Sequence, residues 1–511
     1  MEEANTHRQR WLALVILGLI LHVLAMSNSD LGLDAHVRLN VAMDEQHTGQ
    51  DLAWGKLRVS ESADQQPSSE HVYDGYVPPW IQSEWTVKIT AFVGVIIVAL
   101  MAGYTPKWRA NDRRFEPMWA ALVILSPIFL FVSGRGYDEG VLACVVGAGV
   151  GGFFFNKGAQ RHERFLHVVF MATSLLILLA WKGFDMSVCL GVWALTLAAG
   201  SAYIVLEQGR SEGTDDLLRH PWKMAALCSL SVYVGVFTFG MWSGSGTFGI
   251  IAHEPLPYLV STVVAIFHAA LVFLLIGFML WPLLSTRWEN LRALRGPGVT
   301  MLSVYSSVLF MGIACYIGAL WTLESSLWDR PLLSTMLVLG NNGRYATALV
   351  IPCILMLKWS SPSMEPPASK ESSRFLVGIG GLVPLMLFIA MFGQQLWSDD
   401  AGVWMAEEFG DDDNCFVMVA PETLAMHHLY VLKTHVDLTG ESEVEGFWRT
   451  SGQVESFLET HPECSSLLVV APGEDYLPDP NEYEAVAQEQ APFSLSGGGT
   501  DDAWRVFRAI A

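Results

Sequence analysis

Three stretches of the chain place ionisable residues at the ends of apolar runs, where charge is costly unless water, a partner or a ligand solvates it. In "SNSDLGLDAHVRLN" (27–40), Asp30, Asp34, His36 and Arg38 follow Trp11 to Met26, a run of sixteen residues in which only His22 is polar. In "GRGYDEG" (134–140), Arg135, Tyr137, Asp138 and Glu139 crowd a turn between two apolar segments, and in "GNNGRYATALVIP" (340–352) Arg344 and Tyr345 open another. An arginine so placed can bind a phosphate bidentately. Plainer accounts stand beside this one: Arg135 could snorkel or pair with Asp138. Asp30, Asp34 and Arg38 are spaced i, i+4, i+8 on one helix face, so Asp30 could cap that helix and Asp34 pair with Arg38. An exposed pair contributes only about 0–1 kcal/mol, which leaves a carboxylate such as Asp34 at a membrane exit unexplained. Asp34, His36, Asp138 and Glu139 also include the donor types of an N/O site, so a divalent metal is expected if they converge.

The elements that must carry these residues follow from composition. With 52% hydrophobic and 16% charged residues over 511 positions, and a mean hydropathy of +0.35, the chain exceeds what a soluble globular protein carries. It reads as a polytopic α-helical membrane protein. A membrane core of about 30 Å needs roughly 17 to 25 apolar residues per helix. About eleven such segments or near-equivalents centre on 11–27, 85–104, 117–133, 141–155, 165–181, 187–206, 224–242, 259–284, 299–321, 345–359 and 375–393. Arg8 and Arg10 precede the first. The basic loops "TPKWRANDRR", "NKGAQRHER", "EQGRSEGTDDLLRHPWK", "STRWENLRALR" and "KESSR" then fall on every second connection. The positive-inside rule therefore puts the N-terminus in the cytoplasm and the C-terminus outside, with the plasma membrane as the expected location. A cleaved signal peptide is the alternative for the first segment and leaves the remaining topology unchanged. The first external loop, 28–84, is long, and "LGLDAHVRLNVAMDEQ" and "DLAWGKLRV" within it suit two short helices lying along the membrane surface.

The membrane region spans 1–394, and residues 395–511 differ in character. They hold 23 Asp plus Glu against 4 Lys plus Arg, about −19 of the formal −21 of the whole chain. Short apolar runs, "CFVMVAP" and "CSSLLVVAP", alternate with helical patterns at 422–435, 451–461 and 500–511, which predicts an external three-layer α/β domain with a parallel sheet. Cys415 and Cys464 each precede a predicted strand, and a disulfide between them is one expectation on an oxidising side. The five other cysteines lie in apolar segments as small buried residues.

Taken together, these motifs resemble the C-type (GT-C) membrane glycosyltransferases, the superfamily of dolichyl-phosphate-mannose protein mannosyltransferases and aminoarabinose transferases of lipid A. The features that carry the resemblance are "DLGLDAH" after the first span, "LSPIFLFVSGRGYDEG", "GRYATALVIP" and the C-terminal external domain. It implies a polyprenyl-phosphate sugar donor drawn from the membrane lipid, a protein, lipid or glycan acceptor, and inverting transfer at the external face. Asp34 matches the first-loop carboxylate that serves as base. Asp138 or Glu139 matches the second-loop acid that shapes the acceptor or metal site. Asp30, His36, Arg135, Tyr137, Arg344 and Tyr345 are then the candidate substrate ligands, the arginines for the phosphate. Asp34-Ala35-His36 departs from the commoner Asp-Glu followed by an aromatic, which leaves open whether His36 contributes. The Trp-Trp-Asp-Tyr-Gly motif of oligosaccharyltransferases is absent.

A transporter or flippase of a lipid-linked or anionic solute is the alternative; it predicts ionisable groups in mid-span. His22, His167 and His268 are the clearest such residues, and the polar weight lies instead in the loops. No Walker A, HExxH or dinucleotide motif occurs, and "SGGGTDD" (496–502) reads more readily as a turn and helix cap than as a phosphate nest. Nothing points to nucleic acid.

Overall fold

The structure, a computed structural model, describes residues 2–47, 78–105, 115–155, 160–182, 184–208, 220–243, 247–327, 330–361, 369–408, 415–420, 425–439, 445–492 and 503–510. The segments "DLAWGKLRV" and "SGGGT" lie outside these residues. All eleven expected apolar segments are helical. Among the described residues, eight helices are long and apolar enough to cross a membrane, and Pro117–Ile124 with Pro127–Gly134 makes a ninth when read as one bent span. The bend of 56° falls at Ser126, because Pro127 offers no N–H to close a helix and disfavours helical backbone at the residue before it.

The other two segments are short. Glu139–Gly149 has 11 residues and runs into a 3-10 turn, Gly151–Phe154. Val350–Trp359 has 10 and is entered through a 3-10 helix, Gly340–Leu349. Arg344 therefore sits on irregular backbone, which is tolerated at membrane depth only when enclosed by protein or lining a cavity.

Helix Glu2–Asn28 packs against both halves of the bent span and against Ser369–Phe392. His22, in its middle, is a satisfied core residue: its ring nitrogens lie 2.5 Å from Ser133 Oγ and 3.0 Å from the Ile124 carbonyl. His268 likewise meets the Gly340 carbonyl at 2.6 Å.

The helix that carries Asp34 runs from Leu33 to His47, and its sequence gives it two apolar faces. Ala35, Leu39 and Ala42, at helical spacing, join Leu31, Ile81 and Val87 in a small core against the bundle. Val37, on another face, enters the core of the C-terminal domain. The helix is thus wedged between the two parts of the chain. The chain leaves the bundle at Gly393, whose φ of +63° suits glycine and whose missing side chain lets the Asn28 carbonyl approach.

Among the described residues, the C-terminal domain is built on a five-stranded sheet of order β2-β1-β3-β5-β4: β1 Cys415–Val419, β2 Glu445–Arg449, β3 Leu467–Val470, β4 Tyr483–Gln490 and β5 Ala503–Ala509. Helix Ala425–Thr439 shares one buried cluster with Phe416, Met418 and Val469, and helix Val454–Thr460 shares the opposite cluster with Val417, Val419 and Leu468, so the three-layer expectation holds. Two corrections apply. The sheet is mixed, because β5 pairs antiparallel with β3 and β4. Residues 503–509 form a strand and not a helix, since burial of Trp504 and Val506 at a period of two places them in the sheet core.

β1 and β3 are parallel neighbours, which brings Cys415 and Cys464 to the same end of the sheet, and they form a disulfide with Cα atoms 5.0 Å apart. Replacing both with alanine should cost about 2–5 kcal/mol. The expected readout is a lower unfolding midpoint than wild type in oxidising buffer and equal midpoints once reductant is added.

Candidate active site

Three elements meet at the wedge: the helix Leu33–His47, the turn 134–139 and the 3-10 helix Gly340–Leu349. Arg344 joins them. Its Nη2 donates to Asp34 Oδ2 at 2.5 Å and its Nε to Glu139 Oε1 at 2.8 Å. Its guanidinium lies 4.2 Å from the ring centre of Tyr137 and 5.0 Å from that of Tyr345, a stacked setting that suits a planar cation. Nη1 is engaged only at 3.5 Å, with Asn342 Oδ1, among the described residues.

A second cation stands beside the first. Lys182 Nζ donates to Asp138 Oδ1 at 3.1 Å and lies 4.9 Å from the Tyr345 ring centre. Asp138 also accepts from Trp181 Nε1 at 2.6 Å, and Arg38 Nη1 approaches it at 3.7 Å. Arg38 donates to the Gly136 carbonyl as well, at 3.2 Å. Asp34 and Arg38 therefore share a helix face, as their spacing requires, but are not each other's partner: one meets Arg344 and the other meets Asp138.

Exposure separates the acids. Side-chain exposure is 46% for Asp34 against 7% for Asp138 and 1% for Glu139. Asp34 is the carboxylate that an incoming molecule can reach. The protein packed around its inner side opposes its ionisation, yet the charges of Arg344, His427 and Lys182 outweigh this and hold the carboxyl below the usual range. His427, from the C-terminal domain, brings Nε2 to 3.7 Å from Asp34 Oδ1.

The remaining candidates go elsewhere. Asp30 precedes the helix and does not cap it: its Oδ2 accepts from the Leu396 N–H at 2.6 Å, at the junction with the C-terminal domain. Burial, and then the neighbouring Asp399, raises its pKa. Arg135, 3% exposed, donates to the Gln394 carbonyl at 2.6 Å and faces Asp30, so its charge serves that junction instead of the Asp34–Arg344–Glu139 chain. His36 is turned about 200° from Asp34 by the helix and lies 3.3 Å from Asp399.

The four expected metal donors accordingly do not converge on one point among the described residues. His36 faces away, and Asp34, Asp138 and Glu139 already neutralise Arg344 and Lys182.

Sequence reasoning does not single out Lys182, Trp181 or His427. Lys182 is one basic residue in a short loop poor in them, and His427 lies in a helix whose histidines have no motif spacing. Only long-range packing brings them to the site. One glycine also matters: a Cβ on Gly32 would lie 2.5 Å from the Tyr137 ring. Gly32→Ala should displace the ring beneath Arg344 and cost about 1–3 kcal/mol, seen as a lower unfolding midpoint together with lost activity.

No protein-family model matches the chain, and no curated protein matches it. Among solved structures, it is similar to the crystal structure of ArnT from Cupriavidus metallidurans bound to undecaprenyl phosphate, at 12% identity over 97% of each chain and a TM-score of 0.40. The apo form of that protein gives 10% identity over 99% of this chain and 98% of that one, with a TM-score of 0.39. A cryo-EM structure of the arabinofuranosyltransferase AftD from Mycobacteria gives 16% identity over 98% of this chain and 41% of that one, with a TM-score of 0.33. At such identities the function of the site has to follow from its own geometry.

Proposed function

We propose that the protein is an inverting glycosyltransferase that moves a sugar from a polyprenyl-phosphate donor to an acceptor hydroxyl at the external face of the membrane. The observation that carries this reading is the contrast within the site: one open carboxylate, Asp34, beside two buried carboxylates that hold Arg344 and Lys182 in place. Asp34 takes the proton of the acceptor hydroxyl as its oxygen bonds to the anomeric carbon. On the opposite face the bond from that carbon to the phosphate oxygen breaks, and the polyprenyl phosphate leaves with the electron pair. Arg344 and Lys182 stabilise the charge that develops there, with the Nη1 edge of Arg344 turned to the phosphate. Glu139 and Asp138 position these cations. The C-terminal domain contributes His427 and so forms one wall of the acceptor side.

Membranes carrying the protein, incubated with a panel of labelled polyprenyl-phosphate sugars, should move label from the lipid to an acceptor above the level of membranes lacking it. Label crossing the bilayer while still attached to its lipid, with no transfer from any donor, would replace this reading with a flippase.

A further inference from the structure

We propose that His36, Glu84, Asp399 and His435 bind a divalent cation, of the zinc type, that clamps the C-terminal domain to the first-loop helix and to the membrane bundle. One donor atom from each of the four residues lies within 4.8 Å of all the others. They come from four separate elements: the helices Leu33–His47, Glu84–Tyr104, Trp397–Glu408 and Ala425–Thr439. Two imidazoles and two carboxylates form an N2O2 set that suits tetrahedral zinc. Ligand atoms about 2.0 Å from a tetrahedral ion are about 3.3 Å apart. Three of the six separations bracket that value, His36 Nε2 to Asp399 Oδ1 at 3.3 Å, His435 Nε2 to Asp399 Oδ1 at 2.7 Å and His435 Nε2 to Glu84 Oε1 at 3.9 Å, and none exceeds 4.8 Å.

An independent observation points the same way. His36 is 0% exposed; its Nδ1 has no hydrogen-bond partner among the described residues, and its Nε2 reaches Asp399 Oδ1 at 3.3 Å without a well-formed hydrogen bond. A buried imidazole so poorly satisfied costs stability, and an ion at the centre of this group would take its Nε2. Lys88 approaches the other oxygen of Glu84, Oε2, at 3.8 Å and donates to the Ser29 carbonyl at 2.7 Å, which leaves Oε1 turned to the histidines. The two carboxylates would neutralise the ion. Because His36 and Asp34 share one short helix, the clamp would fix the face that presents Asp34 while staying off the reacting atoms.

The test uses the purified full chain in detergent, stripped with a chelator and dialysed against zinc or cobalt. The expected result is about one zinc per chain, a tetrahedral Co(II) spectrum, and at least a tenfold loss of affinity in His36→Gln and His435→Gln. Equal zinc uptake by wild type and both variants would overturn the proposal, as would no uptake by wild type. Should the variants fail to fold, wild type alone decides: an unfolding midpoint that rises with zinc and falls with chelator supports the clamp, and one that responds to neither overturns it. Metal content is read without any transfer assay, so the clamp is tested separately from the sugar-transfer reading.

Discussion

Replacing Asp34 with asparagine is expected to lower kcat for sugar transfer by about 10²–10⁴-fold, the range for removing a general base, while the KM for the lipid donor changes little. The split follows from position. Asp34 is the open end of the Arg344 network, and asparagine keeps its shape and a hydrogen-bond acceptor for Nη2 but cannot take a proton. Initial rates at varied donor concentration, with protein levels matched, separate the two parameters. A variant with unchanged kcat would make Asp34 a structural partner of Arg344 and move the base elsewhere. A variant that lost donor binding alone would make it a substrate ligand.

Arg344 should be sensitive in two ways, because its loss acts on fold and chemistry together. Arg344→Gln strips the partner from Glu139, whose side chain is 1% exposed, and breaking a buried pair on one side typically costs about 3–5 kcal/mol. The thermal midpoint should fall sharply. The double variant Arg344→Gln/Glu139→Gln removes both charges and should recover most of that stability. Transfer should not recover with it: losing an electrostatic donor to the leaving group costs about 10²–10³-fold, and the second substitution cannot restore the cation. Recovery of both properties together would reduce Arg344 to a structural residue.

The sequence discloses the parts of this site more readily than their connections. Apolar runs give the helices directly, since burial in lipid leaves few other options, and Asp34, Glu139 and Arg344 stand out because charge at a membrane boundary is unusual. Their pairing does not stand out. Asp34 has Arg38 four residues away, yet its partner is Arg344, 310 positions on, because the turn 134–139 claims Arg38 first. Proximity in sequence groups His36 with Asp34, whereas helix geometry sends it to Asp399. In the C-terminal domain, β1 and β3 are short, wholly buried runs and are plain to read. β5 owes its conformation to two antiparallel neighbours, and β4 is a mostly exposed edge with polar residues; neither has a local signal strong enough to set it apart.

The central claim is a single displacement in which Asp34 deprotonates the acceptor as the phosphate leaves from the opposite face. The anomeric configuration of the product tests it most directly. A donor of defined anomer is supplied in proteoliposomes carrying the wild-type chain, and the configuration of the newly formed glycosidic bond is read by NMR. Inversion is the predicted result. Retention would require a second displacement through a covalent or ion-pair intermediate, and would contradict the action of Asp34 as the base of a single displacement.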